Sequence, residues 1–503
     1  MTGGQVMADQ AGPHAELTGL TIAQLQERLA SGETTSLDLC RRYVERIVAL
    51  DRSGPALHSV LETAPDLEEQ ARRCDRARAE GRAAGLLGGI PLLLKDNLDT
   101  AGAMWTTAGS LALCGVPAPA DAPAVARLRD AGAIVIGKTN LSEWANWRGS
   151  QSISGWSGRG GQTRNPHVLD RTPSGSSSGS GVAAAAALAA AAVGTETDGS
   201  IVSPANANGV VGMKPTVGLV PQEGIVPISS SQDAAGPLAR SVADAALVLA
   251  ALAGQPALAG AADPNRLRGA RIGVLREGYL GKNAYSDRLF EAALESLRAG
   301  GAELVDPVAI ATLDELQRAN LERVIFAYEM KAALQAYLAR RTGLDVHTVD
   351  DVIAFNLAHA DRELGWFGQE NLEESAAAGP LTDERYLEAR ARGHRLSREE
   401  GIDRVLGEHR LDALVAPTGT PAAHIDPMLS ERRSGPPTSF LPALAGYPIV
   451  SVPMGFARDL LPVGLAFFAG AGSEATLLGL AAGFEQVAPH YRAPRYVPSV
   501  PLP

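Results

Sequence analysis

Ser176 and Ser200 stand 24 positions apart, each in a run of small residues, with a stretch of Ala, Val and Leu between them. Ser174 to Gly181 hold only Ser and Gly, which lets the backbone take unusual dihedrals and approach a ligand closely. Val182 to Val193 is almost pure Ala, Val and Leu and predicts one tightly packed, buried helix. Gly194 to Ser200 predicts a second loop. A helix of about a dozen residues and a return would bring the two loops together. A Gly/Ser linker is the plainer reading, but linkers do not lead into a dense apolar helix. A serine hydroxyl is a weak nucleophile until a base takes its proton, so serine chemistry here requires a base elsewhere in the chain.

Lys95 is the candidate. It closes the apolar run Ile90–Leu94, which predicts a buried strand. Burial disfavours the ammonium and lowers the pKa. To be half neutral near pH 7.5 it must fall from about 10.4, at a cost of roughly 4 kcal/mol. On spacing alone the plainer alternatives, a snorkelling side chain or one paired with Asp96, stand first.

Two other motifs compete. Gly132-Ala-Ile-Val-Ile-Gly137-Lys138-Thr139 fits the phosphate-loop pattern letter for letter. Such a loop needs its strand before the first glycine, whereas here Ala133–Ile136 are themselves the predicted strand and their amides belong to a sheet. Gly175-Ser-Ser177-Ser-Gly179 fits a nucleophile elbow, which would make Ser177 the nucleophile. No strand precedes it, since Pro166 and Pro173 interrupt the region, and no downstream histidine sits in a recognisable motif. Trp144, Trp147 and Trp156 fall in an aromatic, Gly/Ser-rich stretch and read equally as pocket wall or core.

The elements that must position these groups alternate along the chain. Helices are predicted at Thr21–Ala30, Leu37–Leu50 (with Thr35 and Asp38 as a start signal), Pro65–Gly81, Pro123–Ala131, Ser241–Ala253, Ser286–Ala299 and Glu474–Gln486. Strands are predicted at Leu57–Leu61, Ala270–Leu275, Glu303–Val308, Leu411–Ala416, Ile449–Met454 and Val463–Phe468, with short ones near Gly209–Pro221. The pattern predicts an α/β fold: a single large domain over residues 20–490, with a central mixed sheet covered by helices on both faces. A helical insertion is expected at about 312–410, with tails at 1–19 and 491–503.

At 503 residues and 45% hydrophobic content the chain can bury a large core. The net charge of −11 argues against a nucleic-acid surface. Cys40, Cys74 and Cys114 are odd in number and scattered, and read as free thiols. No apolar run reaches membrane-spanning length, no His/Cys cluster has metal spacing, and Met1–Gln10 is polar rather than signal-like. The expectation is a cytoplasmic protein with no cofactor, no metal and no membrane span.

Taken together, these stretches resemble the amidase signature family. The resemblance is carried by Gly89-Ile-Pro-Leu-Leu-Leu-Lys95-Asp96, Ser174-Gly-Ser176-Ser-Ser-Gly179 and Gly194-Thr-Glu-Thr-Asp-Gly-Ser200-Ile-Val202, and by the spacing of the two serines. Gly137-Lys-Thr-Asn140, Asn165-Pro166, Gly212-Met-Lys-Pro-Thr216 and Ala445-Gly-Tyr-Pro448 extend it over roughly residues 20–490. Ser174 and Ser178 replace glycines of the family pattern, Glu196 an aspartate, Asp198 a glycine and Val202 an arginine. Within the family, Glu143–Asn146, Gly155–Ser157, Gly161–Pro166, Gly194–Val202 and Phe367–Glu370 look most like bacterial peptide amidases, which remove ammonia from C-terminally amidated peptides.

The resemblance implies a Ser-Ser-Lys triad. Ser200 would attack the amide carbonyl, Ser176 would pass its proton to a neutral Lys95, and water would hydrolyse the acyl-enzyme. In the family the bridging serine follows a cis peptide bond. Backbone amides of Thr197, Asp198, Gly199 and Ser200 would stabilise the oxyanion, and Ser150 is placed with them as a substrate-binding residue. The expected partner is a small amide or an amidated peptide. The alternatives are an amidase of broader aliphatic or aryl specificity, the glutamine-amidase component of a tRNA amidotransferase, a serine esterase acting through Ser177, and a non-catalytic binding protein on the same scaffold.

Overall fold

Thirteen strands form among the described residues, which are 12–82, 85–428 and 437–501 of a computed structural model. Met1–Gln10 lies outside them. In chain order the strands are β1 (Val60–Thr63), β2 (Pro91–Lys95), β3 (Ile134–Thr139), β4 (Trp156–Ser157), β5 (Gly161–Gln162), β6 (Ala191–Glu196), β7 (Val211–Lys214), β8 (Ala234–Ala239), β9 (Arg271–Leu275), β10 (Glu303–Val308), β11 (Ala413–Pro417), β12 (Ile449–Ala457) and β13 (Leu461–Phe468). Strands β4 and β5 make a small hairpin. The other eleven form one mixed sheet in the order β1-β3-β2-β6-β8-β7-β12-β13-β11-β9-β10.

Helices cover both faces of the sheet, and side-chain alternation along the strands divides the core accordingly. On β11, Val415 packs on one face while Leu414 and Ala416 pack on the other; on β13, Phe467 opposes Ala466 and Phe468. The first face is covered by the helices Val242–Ala253, Ala284–Ala299 and Glu474–Val487. The second is covered by Leu321–Leu338, Glu384–Ser397 and Phe440–Ala445, the first two belonging to the helical stretch 312–410. Local signals act as read: Thr35 accepts from the Asp38 amide at the start of Ser36–Arg46, and Thr21 and Gln24 form a capping box. Toward the ends of the chain, Leu17 and Tyr496 are buried in the core, and Val497 bridges to Val168.

One element differs from expectation at the centre of the site. The apolar run 182–193 is not a single helix. Ser178–Ala185 is helical, a turn follows, and Ala191–Glu196 is the strand β6, wedged between β2 and β8. Two buried arginines satisfy the carbonyls exposed where the helix stops: Arg46 donates to Ala186 and Ala187, and Arg240 to Ala184 and Ala189. A continuous alanine run reports burial but carries no period, so helix and interior strand read alike. Strand β8 is also absent from the expected elements, since Gly236 and Pro237 inside it are residues that weaken a strand signal. Gly236 is required there, because a Cβ would lie 2.0 Å from the Met213 carbonyl oxygen.

Candidate active site

The site forms where two parallel strands end. Strands β2 and β6 pair in parallel with Leu94 opposite Val193, so Lys95, which ends β2, and Thr195, next to last in β6, lie close together at the same end of the sheet. Crevices at the carboxyl ends of parallel strands are recurrent ligand sites in open α/β sheets. Lys95 Nζ lies 2.8 Å from Ser176 Oγ, 2.8 Å from Thr195 Oγ1 and 3.2 Å from the Thr195 carbonyl oxygen. Asn97 Nδ2 donates to Thr195 Oγ1 at 2.9 Å. Lys95 is fully buried and therefore does not snorkel, and the neighbouring Asp96 pairs with Arg159 Nη1 at 2.9 Å instead.

The serine loop is fitted tightly around this lysine. The Gly175–Ser176 peptide bond is cis. The Ser176 carbonyl accepts from the Ser142 amide at 3.1 Å, and a Cβ at Gly175 would lie 2.3 Å from Ser142 Oγ. The Ser177 amide donates to the Ser200 carbonyl at 3.1 Å, tying the two loops together. Ser177 Oγ donates to the Thr195 carbonyl at 2.9 Å and accepts from the Thr195 amide at 3.1 Å. That hydroxyl is buried and bonded as donor and acceptor, and no strand runs directly into Gly175, so the nucleophile-elbow reading fails on geometry.

Ser200 ends the turn between β6 and the helix Val202–Asn208. Glu196 organises that turn. Its Oε2 accepts from the Ile201 and Val202 amides at 2.7 and 2.9 Å, and the Gly199 amide also faces it. Gly199 takes φ +77°, where a side chain would be strained. Thr197 Oγ1 donates to Asp233 Oδ1 at 2.6 Å, and Ser439 Oγ donates to Asp198 Oδ1 at 2.6 Å.

Ser200 opens onto a cavity of about 560 Å³ whose wall includes Trp147, Ser150, Gly175, Thr197, Asp198 and Phe326. Lys95 and Ser176 lie behind that wall, fully buried. Ser150 is outside the hydrogen-bonded cluster: it is exposed at the wall and donates through its amide and hydroxyl to Glu370 Oε2 at 3.0 and 3.2 Å. Trp147 lines the cavity and donates to Ser375 Oγ, whereas Trp144 is core and Trp156 packs edge-on against Phe367.

Burial dominates the electrostatics. It pulls Lys95 down to about 7, against the opposing pull of Asp233 and Glu196. Asp233 is pushed up to about 6, also by burial, against hydrogen bonds from Thr197, Ile228 and Ser229. Two further buried lysines are each lowered to about 8 by desolvation. Lys138 lies in β3 and donates to Leu98 O and Thr106 Oγ1 from inside the sheet, so Gly132–Thr139 does not form a phosphate loop. Lys214 faces Glu196, Glu474 and Asp198.

Of the residues the sequence singled out, Lys95 and Ser176 are in hydrogen-bond contact, and the loop that holds Ser200 and the 197–199 turn is tied to the serine loop through the Ser177 amide. Sequence reasoning missed Thr195, Asn97, Ser142, Asp233 and Ser439. The position of Thr195 one residue into the second loop, and of Asn97 two residues after the lysine, was the available signal. Among the described residues no group of three His, Cys, Asp or Glu side chains is placed to hold a metal, and no helix is long and apolar enough to cross a membrane.

Comparison with known proteins agrees with this architecture. Residues 38–478 match the amidase family. The chain is 50% identical to the native peptide amidase of Stenotrophomonas maltophilia, whose crystal structure superposes with a TM-score of 0.89 over 94% of this chain and 98% of that one. It is 35% identical over 498 residues to a probable amidase of Arabidopsis thaliana, covering 95% of this chain and 91% of the relative. It is also 35% identical over 504 residues to a component of the glutamyl-tRNA(Gln) amidotransferase of Moorella thermoacetica, covering 95% of this chain and 98% of the relative. With its eleven-stranded mixed sheet and the lysine and serine loops gathered at one end of it, the chain belongs to the amidase family of hydrolases.

Proposed function

We propose that the chain hydrolyses the terminal carboxamide of C-terminally amidated peptides through an acyl-enzyme on Ser200. The observation that carries this reading is the 2.8 Å contact between Lys95 Nζ and Ser176 Oγ inside a desolvated site. A lysine lowered to about 7 is substantially neutral at physiological pH and can accept a proton. Ser200 attacks the amide carbon while its proton passes through Ser176 to Lys95. Lys95 then returns a proton so that nitrogen leaves as ammonia, and water releases the peptide acid. Amides of Thr197, Asp198 and Ser200 are suited to hold the oxyanion, because a tight turn aims several N–H groups at one point, whereas the Gly199 amide, expected with them, faces Glu196. Ser150, on the cavity wall, is available to the bound peptide.

Support for a peptide amide comes from the 50% identity to a peptide amidase and from a cavity large enough for several residues. The amidotransferase components among the relatives make free glutamine the competing amide. Incubating the purified chain with an amidated tripeptide and, separately, with glutamine decides between them. The expected result is conversion of the terminal carboxamide to an acid by mass spectrometry, with internal peptide bonds spared. Ammonia from glutamine alone, or only from short aliphatic amides, would refute the peptide reading.

A further inference from the structure

The nucleophile turn carries an acid where the family pattern has glycine. Asp198 is two residues before Ser200, half-buried, and part of the same cavity wall. Its orientation is held from outside the turn by the hydrogen bond from the buried Ser439 hydroxyl. A carboxylate beside a developing oxyanion raises the energy of the transition state unless something offsets it. Lys214 supplies an opposite charge: it is fully buried, feels both Glu196 and Asp198, and its Nζ makes no hydrogen bond. An acid in the cavity wall two residues from Ser200, with a buried cation near it, points to a task on the substrate.

We propose that the Asp198 carboxylate determines specificity by accepting the N–H, or the ammonium, of the residue that bears the scissile carboxamide, and by repelling the carboxylate that hydrolysis produces. In an amino-acid or peptide amide that nitrogen is two bonds from the carbon that Ser200 attacks, so an acceptor close to Ser200 in the wall can reach it. A carboxylate has about four lone-pair sites, more than a single donor fills. A simple aliphatic amide has no such donor. The substrate amide is neutral whereas the product acid is ionised at neutral pH, so one fixed negative charge holds the first and expels the second. The rest of the wall is balanced in formal charge, with Asp287 and Glu322 against Lys282 and Arg323, so the excess negative charge of the wall is that of Asp198.

This role rests on the acyl-enzyme reading above, and one set of assays separates the two. N-acetylphenylalaninamide is compared with 3-phenylpropanamide, which lacks the nitrogen, and N-acetylphenylalanine is titrated as product inhibitor. Wild type should prefer the first amide by roughly tenfold or more in kcat/KM, as expected for a hydrogen bond to a charged group. Asp198→Ala should erase most of that preference, and Asp198→Asn should lower the Ki of the product acid by roughly tenfold. If Asp198→Ala fails to fold, Ser439→Ala should move the preference in the same direction, by less. Wild-type ammonia release with the preference and product Ki of Asp198→Asn both within about twofold of wild type would overturn the role of Asp198 alone. No ammonia from the acylated amino-acid amide in wild type would overturn the reading beneath it.

Discussion

The Thr195 hydroxyl lies 2.8 Å from Lys95 Nζ, the same separation as Ser176 Oγ. The lysine is therefore held between two hydroxyls, one from the serine loop and one from the adjacent strand, with Asn97 fixing the second. A lysine with three oxygen contacts and no exposed surface keeps its nitrogen in one position, which is what the proposed proton transfer along a chain of hydroxyls requires.

Lys95→Arg and Lys95→Ala separate a base from a mere positive charge. A guanidinium cannot lose its proton in the working range. Both variants should lose roughly 10²–10⁴-fold in kcat. A folded Lys95→Arg enzyme with near wild-type rate would show that the charge alone matters.

The pH dependence follows from the direction of the Lys95 shift. In the proposed mechanism the neutral amine is the active form and its population grows as pH rises, so kcat/KM on a small amide should climb through an apparent value near 7. That value belongs to the coupled lysine and serines together. Thr195→Val removes an acceptor that favours the ammonium, so the acid limb should move lower still. An acid limb that stays in place, or moves up, would contradict this account of Thr195.

A fluorophosphonate should form one adduct, mapped by peptide mass spectrometry to Ser200. Ser200→Ala should abolish labelling and Ser177→Ala should leave an adduct at Ser200. An adduct on Ser177 would restore the nucleophile elbow and sink the triad.

Lys138 is structural. Equilibrium dialysis with ATP and magnesium should show no saturable binding. Lys138→Ala removes the buried donor to the Leu98 carbonyl and the Thr106 hydroxyl and should cost roughly 1–3 kcal/mol in chemical denaturation. Micromolar nucleotide binding abolished by the same substitution would revive the phosphate loop.

Much of the site was legible because its signals are local. Two small-residue loops and a lysine closing an apolar strand stand out by composition, but spacing alone favours a snorkelling or Asp96-paired lysine, and the family resemblance is what joins Lys95 to the two serines. Thr195 and Asn97 were harder, because their role depends on the register of β2 against β6, which pairs residues about a hundred positions apart. Ser439 and Asp233 reach the nucleophile turn from distant segments, and nothing near them in sequence marks the contact.

By itself the sequence determined the α/β alternation, the acid–base types available and the burial of the 182–193 run, since propensity, charge and hydrophobicity belong to individual residues and short windows. Only the tertiary structure decided that this run divides into a helix and a strand, that Ser177 is bonded rather than reactive, and that Lys95 faces Ser176 and Thr195 instead of Asp96. Those outcomes depend on which carbonyls, amides and hydroxyls compete for each partner once the sheet has closed, and the parallel pairing of β2 with β6 settles that competition.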